Sequence, residues 1–343
     1  MLVDMSALRG WATEIFARAG LRDPDAALVS DSLVEADLRG VHSHGILRVP
    51  RYVADLRAGA IVAQPEVLTV ADTGWAVVLD GGGGMGQIAA QAGMRRALDR
   101  AATGGHAAVS VRNSTHCGAM AYYAMQATAA QSIGMATTNA GINMMPTGGR
   151  AKLVGNNPVA YAIPTGRDIP FVLDMATSVV AGGKLDLARI RGEKIPLDWA
   201  VDSDGQPTDD PAAARQGALL PLGGPKGYGL ALVLDVLCGV LSGGRFGGGL
   251  GMAGSSHFFE VLRIDAFTPY ADFVERMGEL VDQLHACPPA ARSSGVLVPG
   301  EIEHRLRERR LREGIVLDAS LIEELDGVAR SLDAPAISAL VRA

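Results

Sequence analysis

The sequence predicts an α/β protein in two parts, a central sheet region and a helical part assembled from both chain ends. Three observations predict it. Apolar runs of strand length alternate with helix-periodic segments between Val67 and Ile264. Residues 1–60 and most of 271–331 carry helical period instead. The chain, at 343 residues with 48% hydrophobic and 20% charged, can bury one large core or two smaller ones. The expected division is an N-terminal helical segment, 1–70, packing with a C-terminal helical segment, 270–343, beside a sheet region, 71–269.

Composition narrows the function classes. Aromatics are only 5%, so alanine, glycine, leucine and valine must fill the core, which favours close approach of helix to sheet. Net charge is -6. The basic run from Arg305 to Arg312 is broken by Leu306, Glu308 and Leu311, the pattern of a helix surface rather than of a nucleic-acid groove. Cys117, Cys238 and Cys287 are scattered and odd in number, which argues for a reducing compartment and against a disulfide framework or a zinc cluster. Met1 to Arg18 mixes charges into its apolar pattern, and the longest apolar run, Leu230 to Leu241, carries Asp235 and is too short to span a bilayer. A cytoplasmic protein with no membrane contact is expected.

Taken in order, Ser6 caps a helix over Ala7–Ala19 that Gly20 stops, and Asp23-Pro24 opens a second that ends at Gly40. The next stretch, Val41 to Tyr52, is the most reactive in the chain. With a helix beginning near Gly45, four-residue steps place His44, Arg48 and Tyr52 on one stripe, and Pro50 is tolerated in the first turn. Such a stripe suits a small acid: Arg48 grips its carboxylate, His44 exchanges a proton with a neighbouring oxygen, and Tyr52 adds a hydrogen bond. Singly, each has a plainer reading as a cap, a solvated cation or a half-buried ring. The joint spacing favours a site.

Trp75 to Asp80 reads as a buried strand leading into Gly81-Gly82-Gly83-Gly84-Met85-Gly86 and a helix over Gln87–Ala102. This satisfies the dinucleotide fingerprint GxGxxG. Five glycines in six positions satisfy many patterns, however, and the following strand, from His106, ends in Arg112 where an acidic ribose ligand would be wanted. The turn is therefore read as a close-packing bend. Asn113 to Gly118 follows that strand's carboxyl end, where α/β sheets place ligands, which makes His116 a second candidate acid or base; satisfaction by local backbone is the equal alternative. A helix over Ala119–Ala130 and a strand over Gly134–Thr138 come next.

Asn139 to Pro146 and Gly155 to Pro158 are turn-rich segments that could hold a dinucleotide or a substrate, or be plain loops. The strand from Phe171 ends at Asp174, which either binds a ribose or caps, and Thr177 or Ser178 can cap a following helix. Lys226, in the turn Gly223–Gly229 before the apolar helix Leu230–Leu241, concentrates positive potential for a phosphate or carboxylate. That helix is apolar nearly all round, implying deep burial or a subunit interface. Gly243 to Gly254 is glycine-dense and reads as mobile. A strand over His257–Ile264, helices over 271–285, 302–313 and 321–331, and a strand over 315–317 close the chain.

Several of these segments form an ordered set: Ser43-His44-Gly45 with Arg48 and Tyr52, Ser114-Thr115-His116 with Gly118, Gly148-Gly149, Asn157-Pro158, Asp174 to Ser178, Gly183-Lys184, Pro225 to Gly229, and Pro299-Gly300-Glu301. From about residue 5 to 330 the set resembles the malate/L-lactate dehydrogenase family, which also holds sulfolactate, ureidoglycolate and diketogulonate enzymes and cyclic imine reductases. The resemblance implies a nicotinamide-dependent oxidoreductase with a non-Rossmann, NAD(P)-binding mixed sheet, working as a homodimer. It implies His44 and His116, with Ser43, as the catalytic positions, the acid/base role resting on either histidine. It implies Arg48, Tyr52 and Asn157 at the substrate, and Asp174, Met175, Ala176, Lys226, Gly227, Pro299, Gly300 and Glu301 at the cofactor, which would be NAD, with NADP also open.

The expected reaction is hydride transfer between a small 2-hydroxy acid and its 2-oxo acid, a histidine neutralising the developing alkoxide. Reduction of a cyclic imine acid is the alternative within that chemistry. From another class comes a metal-dependent hydrolase, since His42 and His44 form an HxH pair that His116 could complete. No carboxylate-rich motif accompanies the pair, so no metal is expected. A non-catalytic relative retaining the fold is a third reading, which the intact set of histidines, Arg48 and Lys226 disfavours.

Overall fold

A computed structural model of the protein describes residues 1–250 and 254–342. The chain opens with strand β1 (Leu2–Val3) and helices α1 (Met5–Arg18), α2 (Asp23–Leu38) and α3 (Val49–Arg57). Then follow β2 (Leu68–Asp72), β3 (Ala76–Asp80), α4 (Gly86–Gly104), β4 (His106–Ser114), α5 (Ala121–Ala124), α6 (Gln126–Ala129), β5 (Ser132–Thr138), β6 (Ile142–Met144), β7 (Val154–Gly155), β8 (Val159–Ile163) and β9 (Phe171–Met175). After α7 (Gly182–Arg191), β10 (Ala200–Val201), α8 (Pro211–Gln216), β11 (Ala218–Leu219), α9 (Pro225–Asp235) and β12 (Ser255–Arg263), the chain ends in α10 (Tyr270–His285), α11 (Glu301–Glu313), β13 (Ile315–Val316), α12 (Ala319–Ser331) and β14 (Val341–Arg342).

The central sheet has seven strands in the order β2-β3-β4-β12-β5-β8-β9. Only β3 and β4 are parallel neighbours; every other pair in it is antiparallel. A Rossmann sheet needs repeated parallel crossovers, and among the described residues β3-α4-β4 is the one such unit in this sheet, so the fold is the expected mixed α/β arrangement without the doubly wound topology. Helix α4 lies close on this sheet because its inner face is small. A Cβ at Gly93 would stand 2.6 Å from the Phe259 ring, and Ala89, Ala90 and Ala97 share that face. This is how an aromatic-poor sequence still fills its core.

A second core joins the two chain ends. Trp11, Phe16, Leu33 and Leu38 of α1 and α2 pack with Ile315, Ile322, Leu325 and Ile337, and the Trp11 indole donates to Pro335 O at 2.9 Å. The short sheet β13-β1-β14 ties the termini together.

Local differences from the sequence reading have simple causes. Asp4 rather than Ser6 caps α1, because its carboxylate accepts the N–H groups of both Ser6 and Ala7. The helix expected over 119–130 breaks into α5 and α6. No helix starts at Thr177 or Ser178; the Ser178 hydroxyl donates to Val180 O, and α7 begins only at Gly182. Helix α9 starts at Pro225, where proline suits the first turn, so Lys226 is helical and not in the preceding loop. One face of α9 and of the π-helical turn after it is bare: Leu230, Val233, Val236 and Val240 are exposed, which rules out deep burial within one chain. The glycine-dense segment to Gly254 lies partly outside the described residues. Among those described, no helix is long and apolar enough to cross a membrane.

Candidate active site

The segment Val41–Tyr52 is wrapped around one buried carboxylate. Asp37, near the end of α2, accepts the Ile46 N–H at 2.7 Å and the His42 Nδ1–H at 2.7 Å. A Cβ at Gly45 would lie 2.2 Å from that carboxylate, so only glycine lets the chain close around it. The result is two tight 3-10 turns, His42–His44 and Ile46–Arg48, before α3 begins at Val49. The continuous helical stripe expected from His44 to Tyr52 is thus replaced by a bent path. It brings the same side chains together by folding back. Arg48 Nε donates to Ser43 O at 2.6 Å, and Ser43 Oγ lies 2.9 Å from His44 Nδ1.

His116 reaches this cluster through the glycine turn. Gly86 donates its N–H to Thr115 Oγ1 at 2.9 Å, and the Thr115 hydroxyl donates to Gly84 O at 3.0 Å. A Cβ at Gly86 would stand 2.3 Å from Thr115 O and 2.4 Å from His116 O, so the turn is the close-packing bend the sequence suggested and it fixes the histidine loop. The His44 and His116 rings stack at 5.3 Å between centroids and 21° between planes. Tyr52, buried on α3, places its hydroxyl 2.5 Å from His116 Nδ1. Gly183, at the start of α7, borders Ser43.

Both imidazoles are pushed toward neutrality. Burial, then the Arg48 charge, lowers the pKa of His44 to about 4. Burial, then His44 and Arg48, holds His116 well below the usual histidine range. Yet His44 is only half-buried and His116 keeps an exposed edge. The stacked rings are crowded by Ser43, Arg48 and Tyr52 on the protein side and reach water on the other. Water on that side tempers the desolvation, and a ligand that displaced it would strengthen the effect.

The expected cofactor residues divide along β9: Asp174, Met175, Ala176, Lys226 and Gly227 near its end, and Pro299 and Gly300 beside its start. Asp174 accepts the Ala121 N–H at 2.9 Å, so the segment from His116 to Ala121 touches both groups. Crowding by protein, then the charge of Glu303, raises the Asp174 pKa to about 6 against the pull of Ala121 and Arg39, although the residue is exposed and water tempers the shift. Beyond Met175 and Ala176, Thr177 O accepts the Leu222 N–H at 2.8 Å, and a Cβ at Gly227 would lie 2.8 Å from the same oxygen. Lys226, the residue before Gly227, is exposed in the first turn of α9. Pro299 and Gly300 lie along β9, where Val172 donates to Pro299 O at 2.9 Å.

Two candidates have their polar atoms committed inside the protein. Asn157 is fully buried, accepting from Ala140 N and donating to Ala231 O, each at 2.9 Å. The Glu301 carboxylate is buried against His285 Nε2 at 2.5 Å and Arg305 Nη2 at 2.6 Å. The HxH pair splits: Arg310 Nη2 donates to His42 Nε2 at 3.0 Å, while His44 faces Ser43 and His116. Among the described residues, no three His, Cys, Asp or Glu side chains converge to hold a metal.

Sequence reasoning passed over three residues of this region. Asp37 holds the reactive turn. Gln87, fully buried, donates to the Tyr52 hydroxyl at 3.3 Å. His257 of β12, fully buried, lies 2.8 Å from both Thr138 Oγ1 and Ser114 Oγ and 3.5 Å from Cys117 Sγ. The available signal was polarity on an inward face: Gln87 shares helical period with Ala90 and Met94, and Asp37 with Leu33.

Comparison with known proteins gives this geometry its context. The family described as Malate/L-lactate dehydrogenase matches residues 3–326. Malate dehydrogenase of Pyrococcus abyssi is 37% identical over 336 residues, covering 94% of this chain and 92% of that one. The NAD(+) ureidoglycolate dehydrogenase of Escherichia coli (strain K12) is 37% identical, covering 87% of each chain. The structure of sulfolactate dehydrogenase from Methanocaldococcus jannaschii superposes with a TM-score of 0.92 at 33% identity, covering 98% of this chain and 99% of the other. The ordered segments read from the sequence, the mixed sheet and the match across nearly the whole chain lead to one conclusion: the protein belongs to the malate/L-lactate dehydrogenase family.

Proposed function

We propose that this oxidoreductase interconverts a small 2-hydroxy acid and its 2-oxo acid, using NAD. The observation that carries the reading is the pair of stacked imidazoles with Arg48 beside them. Arg48 spends its Nε on Ser43 O, and its two Nη groups have no protein partner among the described residues. They form the fork that takes a substrate carboxylate. With the acid so held, its oxygen lies toward the two rings. As charge builds on that oxygen, an imidazole N–H within hydrogen-bond reach neutralises it, and a neutral ring accepts the proton in the reverse direction. Tyr52 serves this site by holding His116, and Asn157 by clamping the backbone of Ala140 to that of Ala231.

The group along β9 fits a dinucleotide. Thr177 Oγ1 is buried without a partner, and the Lys226 ammonium has no ion pair among the described residues and stands at the positive end of α9. Lys226 would meet phosphate, Asp174 a ribose hydroxyl, and the small or backbone surfaces of Ala176, Gly227, Pro299 and Gly300 would let the ligand lie close. A bound nicotinamide supplies the hydride in one direction and takes it up in the other.

The same reading includes a homodimer in a reducing, cytoplasmic setting. The bare face of α9 and its π-helical extension is a contiguous apolar surface that a second copy would cover, close to Lys226. All three cysteines are free thiols.

The test is nicotinamide absorbance with NADH and NADPH across pyruvate, oxaloacetate, the oxidised forms of sulfolactate and ureidoglycolate, and the cyclic imine acids. Turnover with an open-chain 2-oxo acid supports the reading. Turnover confined to cyclic imines moves the chemistry to C=N reduction, and indifference to both cofactors contradicts it.

A further inference from the structure

Two groups converge on His116 Nδ1: the Tyr52 hydroxyl at 2.5 Å and the Gly118 N–H at 3.4 Å. A backbone N–H can only donate, so Nδ1 carries the lone pair and the ring proton sits on Nε2. Tyr52 has a single proton and gives it to Nδ1. Its oxygen in turn accepts Nε2–H of Gln87 at 3.3 Å. Reversing the Gln87 carboxamide would invert this chain, but it would leave two N–H donors where the buried Oε1 now stands without a partner. Orphaned buried donors are rarer and costlier than a bare carbonyl oxygen, so the donating orientation holds.

We propose that Gln87 is a positioning residue: acting through Tyr52, it fixes His116 as the neutral Nε2–H tautomer, so that His116 donates a hydrogen bond to the substrate oxygen while His44 exchanges the proton. His44 suits that task because its Nδ1 faces a hydroxyl, Ser43 Oγ, which serves as donor or acceptor and so tolerates both charge states. The relay through Tyr52 stays closed, since burial pushes the phenol's pKa up and it does not surrender its proton. The titratable and charged groups around His116 are His44, Arg48, Tyr52, Cys117 and His257. None is an anion that would favour an imidazolium there. The division of labour rests on the oxidoreductase reading above; the tautomer is a property of the resting protein and is measured without turnover.

The experiment is imidazole 15N NMR of the intact protein, wild type against Gln87→Glu, with steady-state kinetics on the same samples. Above its own pKa the glutamate keeps the shape but only accepts, so the Tyr52 proton turns away from His116; below it the carboxyl O–H can still donate to Tyr52, so the comparison is read at the alkaline end of the range. In the wild type, His116 should stay Nε2–H between pH ~5 and ~8, the range where an ordinary histidine titrates. In Gln87→Glu the tautomer should shift and the pH profile of kcat should gain a histidine ionisation. The value of kcat should fall up to about 100-fold, the lower range for losing one oxyanion donor, with KM for the acid little changed because Arg48 is intact. Tyr52→Phe deletes the closer donor without burying a charge, leaving only the 3.4 Å Gly118 N–H to hold Nδ1, and should do the same if Gln87→Glu fails to fold. An Nδ1–H tautomer in the wild type overturns the proposal, as does a shifted tautomer with unchanged kcat and pH profile. Absence of turnover with every 2-oxo acid would instead remove the reaction, leaving the NMR result to decide the tautomer.

Discussion

Replacing Gly86 by alanine tests whether the glycine turn positions His116 or cradles a phosphate. The added Cβ would fall 2.3 Å from Thr115 O and 2.4 Å from His116 O, both backbone atoms that cannot swing aside. Relief to the 3.4 Å of ordinary contact requires the helix start and the histidine loop to part by about 1 Å, a misplacement that costs on the order of 100-fold in turnover. Overpacking should also cost about 1–3 kcal/mol of stability. The control is Gly10→Ala on α1, where a Cβ meets nothing within 4 Å; it should leave turnover unchanged and raise stability by about 0.5–1 kcal/mol. Thermal unfolding, cofactor titration by fluorescence and the absorbance assay measure the three quantities. Gly86→Ala with normal kcat and weakened dinucleotide binding would refute the packing argument, as would a variant unchanged in all three.

Three further outcomes follow from the geometry. His44, with its pKa lowered to about 4, is neutral at pH 7 and protonates only as pH falls. In 2-oxo acid reduction kcat/KM should therefore rise about tenfold per pH unit on acidification from neutrality, hydroxy-acid oxidation should stay flat there, and His44→Ala should abolish the slope. His257 has a folded-state pKa of about 3, below its unfolded 6.5, so the native state binds fewer protons. Its contribution to stability is complete above pH 6.5 and is lost as pH falls toward 3. Urea melts should show about 1.4 kcal/mol per pH unit from this group, a slope absent in His257→Gln. Val233→Asp places a carboxylate in the bare face of α9; light scattering should report a dimer for the wild type and a monomer for the variant, and an unchanged mass would place the interface elsewhere.

The mixed α/β class and most long elements were legible because their periods are strong: α2, α4 and α10 lie within a residue or two of the stretches read as helical. Strand order was not legible. Nothing local tells β12 to insert between β4 and β5, since that pairing spans more than a hundred residues and is settled by Phe259 meeting Gly93 of α4. At the candidate site, His44, Arg48, Tyr52 and His116 were readable as reactive types at suggestive spacings, but the path joining them was not helical. Asp37 bends it, and a buried carboxylate organising backbone looks in sequence like any helix-surface acid. Gln87 was hidden for the matching reason: its role depends on a tyrosine and a histidine from two other segments. Asn157 and Glu301 were visible as polar residues in turn-rich motifs, yet whether their polar atoms face a ligand or the backbone is decided by tertiary packing alone.

The most direct test of the account is the absorbance assay at saturating NADH and 2-oxo acid on His44→Ala, His116→Ala and the double variant. The account predicts that each single change lowers kcat by about 100-fold or more, and that the double variant falls well short of the product because the two rings serve one oxygen. Unchanged rates in both single variants, in folded protein that still binds the dinucleotide, would contradict it.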